Sequence, residues 1–231
     1  LWTGRRFGLT TELDLIPLDR TRAAQPSALH GVVVEQPGTP AFVIHMGATK
    51  LREGEDGKLH EDGLAPFRSG WVLTGKNNGN ARGMLETTEG AWLAYDDLLI
   101  AEPRDDPSGY AAEGKKWIDI SIKKQLLVAY QGRRAAYATL ISSGISGMAD
   151  PATTHATVRG VYLIRSKHVS ATMDGDEATD SYDLRDVPYI QYFFEGYALH
   201  GAFWHDRFGL RTSHGCVNLA PEDARRLFFW T

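Results

Sequence analysis

The sequence predicts a mainly β protein built in two parts and closed by one short helix. Three observations carry this. Short apolar or β-branched runs separated by Gly, Pro and Asn clusters recur along the chain. Only one segment, near the C-terminal end, has both a helical start and a helical apolar face. A polar, Pro-containing passage, Ala101–Lys116, leaves roughly 100 residues before it and roughly 115 after, each enough for a compact unit. The expected units are 1–112 and 113–231.

In the first part, strands are expected at Leu29–Val34, Ala41–Met46, Trp71–Thr74, Met84–Thr87 and Ala91–Tyr95. The segment 75–80 (GKNNGN) reads as an exposed turn, because Asn and Gly tolerate positive φ. The second part opens on an alternation: Ile118, Ile120 and Ile122 point one way, Asp119 and Ser121 the other. With Gln125–Tyr130 and Ala135–Ile141 it reads as a β-meander, although Lys123-Lys124 is poor chemistry for a two-residue hairpin turn. Further strands are expected at Val161–Arg165, His168–Met173, Tyr189–Phe194 and Tyr197–His200. The helix starts at Pro221, with Glu222 and Asp223 at its positive end and Ala224, Leu227 and Phe228 on one face. Ala220 is a weak N-cap, so packing rather than capping must start it.

Composition narrows the function classes. The 231 residues include 25 Lys+Arg against 29 Asp+Glu, a net charge of −4, which offers no footprint for nucleic-acid binding. With 42% hydrophobic and 23% charged residues the chain belongs with ordinary globular proteins, not disordered ones. No apolar run approaches the roughly 20 residues of a membrane span. One cysteine, Cys216, forms no internal disulfide and leaves the redox compartment open. The chain begins at Leu1 and stops at Thr231, and both ends read as processing boundaries, with any export signal or lipid anchor outside them.

The chemical information lies between His200 and Asn218. A free Cys alone is usually a small buried hydrophobe, and a lone His is usually structural. Cys216 differs in its neighbours. Gly215 before it permits a sharp turn and close approach of a substrate, and amides exposed in such a turn stabilise a thiolate or an oxyanion. His200 could return on a neighbouring strand to take the thiol proton, giving a nucleophile usable at neutral pH.

His200, twelve residues, then Ser213-His214-Gly215-Cys216-Val217-Asn218 resembles the active-site signature of the L,D-transpeptidase (YkuD) family. The likeness extends back over the meander from Trp117, about half the chain. It implies a YkuD-type β-sandwich with a short C-terminal helix for the second unit. It implies Cys216 as nucleophile, His200 as base and later acid, Gly201 as the carbonyl orienting that His, and the amides of Gly215 and Cys216 at the oxyanion. His214, Asn218 and Ser213 match positions lining the nucleophile pocket, and Tyr192, Glu195 and Gly196 are expected toward the donor peptide. The implied substrate is a peptidoglycan stem tetrapeptide, acylating the thiol and then passing to an amine of a second stem (a 3→3 cross-link), to an envelope protein, or to water. The implied place is the periplasm or cell envelope, and the chemistry calls for no cofactor. The segment Arg82–Leu98 resembles the closing strands of bacterial SH3-like barrels, which implies a small SH3-like N-terminal barrel.

Two rivals stand beside this. His200, His205, His214 and Cys216 are all ligand types that zinc accepts, though their spacing matches no strong zinc signature. The second rival is a non-catalytic wall-binding protein. The acidic stretch Asp174–Asp183 invites a calcium reading but lacks the EF-hand Gly and terminal Glu; it reads as a solvated loop with the length for a lid over a groove.

Overall fold

The computed structural model describes residues 4–10, 13–23, 25–79, 82–106, 108–175 and 182–231. Asn80 of the expected 75–80 turn and the centre of the acidic stretch, residues 176–181, lie outside these.

The architecture is mainly β with one C-terminal helix. A hairpin of β1 (Phe7–Leu9) and β2 (Leu15–Pro17) precedes β3 (Val32–Val33). Seven strands follow: β4 (Thr39–Val43), β5 (Thr49–Glu53), β6 (Leu59–Leu64), β7 (Gly70–Asn77), β8 (Met84–Thr87), β9 (Ala91–Ala94) and β10 (Leu98–Ile100). They form one antiparallel sheet in the order β10-β4-β7-β8-β9-β5-β6. The meander is β11 (Lys116–Ser121), β12 (Leu126–Gln131) and β13 (Arg134–Leu140). Opposite it lies a sheet of β14 (Ser166–Gly175), β15 (Tyr182–Phe194), β16 (Tyr197–Gly201) and β17 (Val217–Leu219), followed by α1 (Pro221–Trp230).

The central strand β12 is apolar on both faces because it has a core on each side. Leu126, Val128 and Tyr130 join one cluster with Phe42, Ala101, Phe208 and Ala220. Leu127 and Ala129 join the other, the sandwich interior, with Phe193, Leu199, Val217 and Leu227. Phe42 and Leu127 are both wholly buried. The first part therefore covers the outer face of the meander. It also extends the meander's edge: β3 pairs with β13, Val33 opposite Tyr137 and Val32 opposite Ala138. The expected boundary at 112/113 is crossed by this pairing and by a shared core, and Ala101 at the head of the polar passage is itself buried.

The Lys123-Lys124 difficulty resolves in the turn. Strand β12 begins at Leu126, so the connection is Ile122–Gln125. Gln125 sits at φ 53, and its amide bonds the Ile122 carbonyl (2.6 Å) and Ser143 Oγ (2.7 Å). Val161–Arg165 forms no strand. Its side chains alternate, Tyr162 and Ile164 packing on the interior while Val161 and Leu163 are exposed, but only its last residue meets the sheet, the Arg165 amide donating to the Tyr192 carbonyl at 2.8 Å. The partners β5 and β6 escape sequence reading because charged, exposed side chains interrupt their apolar period; Lys50 and Arg52 reach Asp62 across them at 3.3 and 3.0 Å.

Helix α1 starts at Pro221 with no side-chain cap on Ala220. Its anchor is Asp223, wholly buried, which accepts from Tyr137 Oη (2.5 Å), Thr139 Oγ1 and the Gly31 amide (2.8 Å). Helix, meander and N-terminal segment thus meet on one carboxyl, whose pKa burial raises against the pull of those donors. Asp223→Ala removes the acceptor shared by three donors, of which the Gly31 amide keeps Tyr137 Oη (2.9 Å) and Thr139 Oγ1 keeps the Leu140 carbonyl (3.3 Å), and should cost about 2 kcal/mol, with Asp223→Asn losing less. Denaturant unfolding reads the difference; equal stability of Asp223→Ala and wild type would contradict this anchor.

Candidate active site

The stretch Ser213–Asn218 is pinned at both ends by the chain leaving β13. Ser142 and Asn218 exchange backbone hydrogen bonds of 2.9 and 2.8 Å, and the Ile145 amide donates to the Ser213 carbonyl at 2.8 Å. Between them the turn is held by hydroxyls. Thr157 Oγ1 donates to the Gly215 carbonyl (2.6 Å) and accepts from the Gly144 amide (2.9 Å). Ser213 Oγ accepts from the Gly215 amide (3.1 Å) and donates to the Cys216 carbonyl. Gly215 has φ 133, and a Cβ there would lie 2.7 Å from the Tyr197 ring, so only glycine fits the turn.

After the turn, β17 runs parallel to β16, Leu199 opposite Val217 and His200 opposite Asn218. Alternation sends Leu199, Val217 and Leu219 into the sandwich. It sends Ala198, His200 and Asn218, with Cys216 just ahead of the strand, to the other face. There Cys216 is half-buried beside Met173, Val187, Ile190, Ala198 and Tyr192. Cys216, one residue before β17, and His200 thus project from the same face of the sheet. The thiol lies 3.7 Å from the Gly196 carbonyl, and burial pushes it up to about 11 against a backbone hydrogen bond from Ala198.

His200 is 3% exposed, with Nδ1 3.1 Å from the Gly201 carbonyl. A carbonyl only accepts, so Nδ1 carries the proton and Nε2 of the neutral ring is a base. Burial holds His200 down to about 4, with the Gly201 bond opposing and His205 adding to the shift. The Trp204 ring stacks over it, centroids 5.9 Å apart at 28°.

Asn218 is buried, its Nδ2 3.1 Å from Nε2 of His205. Nδ1 of His205 accepts from the Arg207 amide at 3.1 Å, and burial lowers the ring's pKa, so the neutral ring keeps its proton on Nε2. Two donors cannot bond each other, so the Asn218 amide turns its oxygen to His205.

Of the remaining expected residues, Gly196 reaches the thiol, and Tyr192 shares its apolar surroundings while stacking edge-on against His168 at 5.9 Å. Glu195 is exposed in the β15–β16 turn at φ 43. His214 is exposed against the His155 ring, 4.8 Å away. Ser213 and Gly215 shape the turn, and the Gly215 amide is engaged by Ser213. Among the described residues no group of three or more His, Cys, Asp or Glu is arranged to hold a metal ion, and no helix is long and apolar enough to cross a membrane. Sequence reading missed Thr157 and Trp204, because neither stands in the signature. A cleft of about 780 Å³ between β11 and residues 157–164 is lined by Leu199 and Val217, on the far face of the sheet from Cys216 and His200.

With the thiol raised to about 11 and the imidazole lowered to about 4, the resting pair at neutral pH is thiol and neutral imidazole. Cys216 alkylation by iodoacetamide should therefore rise about tenfold per pH unit between pH 6 and 9. A plateau below pH 7 would reveal a thiolate–imidazolium pair instead. Because His200 is held neutral below its ordinary 6.5, the unfolded chain binds the extra proton first, and stability should fall as pH drops from about 6.5 toward 4.

No curated protein matches the chain. Among solved structures, the chain is similar to an Enterococcus faecium L,D-transpeptidase variant at 27% identity, over 50% of this chain and 46% of that one, TM-score 0.43. It is similar to the catalytic domain of the E. faecium enzyme at 25%, over 51% and 91%, TM-score 0.44. An L,D-transpeptidase from Mycobacterium smegmatis aligns at 17%, over 82% and 76%, TM-score 0.43. The chain thus spans about half the length of the first of these. The family model of the YkuD L,D-transpeptidase catalytic domain matches residues 115–231, more than half of the chain, and the chain belongs to that family.

Proposed function

We propose that this chain is a cysteine acyltransferase acting on peptidoglycan stem tetrapeptides in the periplasm or cell envelope. The observation that carries the reading is the placement of Cys216 and His200 on one face of β16 and β17, with Nε2 of His200 free to accept a proton. Cys216 Sγ attacks the carbonyl of the third stem residue while its proton passes to Nε2 of His200. The tetrahedral oxyanion takes the Cys216 amide, and the Gly215 amide if Ser213 releases it. Collapse breaks the peptide bond, His200 returns the proton to the leaving amine, and D-alanine departs. An acceptor amine then attacks the thioester, gives its proton to His200, and regenerates the thiol with a 3→3 cross-link. An envelope protein amine as acceptor, or water (which makes the enzyme a carboxypeptidase), follows the same steps. The neutral resting pair suits this sequence, because proton transfer and attack occur together and no buried charge waits beforehand.

Gly201 orients the base, Asn218 and His214 border the nucleophile, and Tyr192, Glu195 and Gly196 flank the donor side in this reading. Residues 113–231 form the catalytic unit. The seven-stranded sheet belongs to an SH3-like accessory unit within 1–112, packed on the meander.

Mass spectrometry of muropeptides after incubation with sacculi separates the acceptors: 3→3 dimers, protein-linked fragments or free tripeptides. The absence of all three products would overturn the reading. His200→Ala should lower the acylation rate constant by about 100-fold or more, well beyond any loss of folded protein. A near-normal rate in the folded fraction would return His200 to a structural role. A carbapenem, whose strained carbonyl resembles an activated acyl donor, should add once per chain, and the adduct should vanish in Cys216→Ala.

A further inference from the structure

The loop between His200 and Ser213 carries three successive side chains with three different attachments. Trp204 stacks on the His200 ring. His205 bonds Asn218, which lies opposite His200 in the β16–β17 register. Asp206 points the other way, into the first part of the chain. Arg68 grips it twice, Nη2 to Oδ2 at 2.6 Å and Nη1 to the Asp206 carbonyl at 2.8 Å, and Ser27 Oγ donates to Oδ1. The Arg68 fork is 21% exposed and holds the Asp206 carboxyl below the usual carboxylate range.

We infer that Arg68 is a positioning residue for the reaction: by fixing Asp206 it sets Trp204 over the base and His205 against Asn218. The inference rests on the proposed roles of Cys216 and His200. Three features support positioning rather than a passive surface ion pair. The bond is bidentate, through a planar fork and to a backbone carbonyl as well as a carboxylate, which fixes orientation as a point charge would not. Arg68 occupies φ 64 in the turn after Pro66, a conformation that favours glycine, so the arginine is held at a position its backbone disfavours. Arg68 lies 138 residues away in sequence, in the part that carries none of the proposed reacting groups. Cutting this link frees a short loop whose other end touches the imidazole, and an error of about 1 Å there is enough to slow acylation severely.

The test compares full-length wild type with Arg68→Gly, Arg68→Lys and Asp206→Asn. Arg68→Gly removes the fork while keeping the turn its φ asks for, which separates the contact from misfolding. The first readout is the rate constant of carbapenem acylation, as distinct from its amplitude. It should fall about tenfold in Arg68→Gly and Asp206→Asn, and less in Arg68→Lys, which keeps the charge but loses the fork. The double variant Arg68→Gly/Asp206→Asn should lose no more than either alone. The second readout needs no transpeptidase activity: the His200 ring and Trp204 indole resonances should shift in Arg68→Gly. Wild-type rate constants with only a lower Tm or amplitude, or unmoved resonances, would overturn the inference. Shifted resonances in a protein whose wild type is never acylated would overturn the functional reading and leave the positioning intact.

Discussion

The constraint on which the site depends is the pinning of one turn. Residues 213–218 must leave a tight bend at Gly215 and enter a strand of only three residues, which can supply little ladder energy of its own. The fold compensates with Ser142 on one side, β16 on the other, and the Thr157 and Ser213 hydroxyls inside the bend. These groups are buried, so breaking any of them strands a donor or acceptor away from water. The turn fixes the Cys216 backbone, and the thiol adds a 3.7 Å contact with the Gly196 carbonyl.

That arrangement explains the electrostatics. The thiol sits among Met173, Val187 and Ile190, and the imidazole lies under Trp204, so each loses hydration and each is held neutral. A preformed ion pair would need the same burial to be reversed twice. In the proposed reaction, neutral partners on one sheet face, with the tautomer set by the Gly201 carbonyl, store no charge and need only one proton to move when a carbonyl arrives.

Much of this was legible in the sequence, for definite reasons. The meander showed because β12 is buried on both faces and so reads as a continuous apolar run, and α1 showed because Pro221 and its acidic neighbours mark a start. Gly215 signalled the turn because no other residue fits its φ and the Tyr197 ring. What stayed hidden depends on distance in sequence. The strand expected at Leu29–Val34 narrows to Val32–Val33, and nothing in it discloses that it extends β13; nor does anything in Asp223 announce that it binds Tyr137 and Gly31. Val161–Arg165 has a strand's period, yet only Arg165 reaches the neighbouring strand. Arg68 and Asp206 are ordinary surface charges until the fold brings them together. The polar passage at 101–116 reads as a linker between two units, yet Phe42 and Ala101 share a core with the meander, so the first part is joined to the second by packing as well as by chain.

The central claim is that Cys216 carries the acyl group of the stem peptide. The most direct measurement is intact mass of the full chain, quenched shortly after mixing with a stem tetrapeptide ending in D-alanine. The account predicts a gain equal to the tetrapeptide less alanine, located on Cys216, released D-alanine in equal amount, and neither in Cys216→Ala. Release of D-alanine that persists in Cys216→Ala, or no release and no mass gain by wild type, would contradict it.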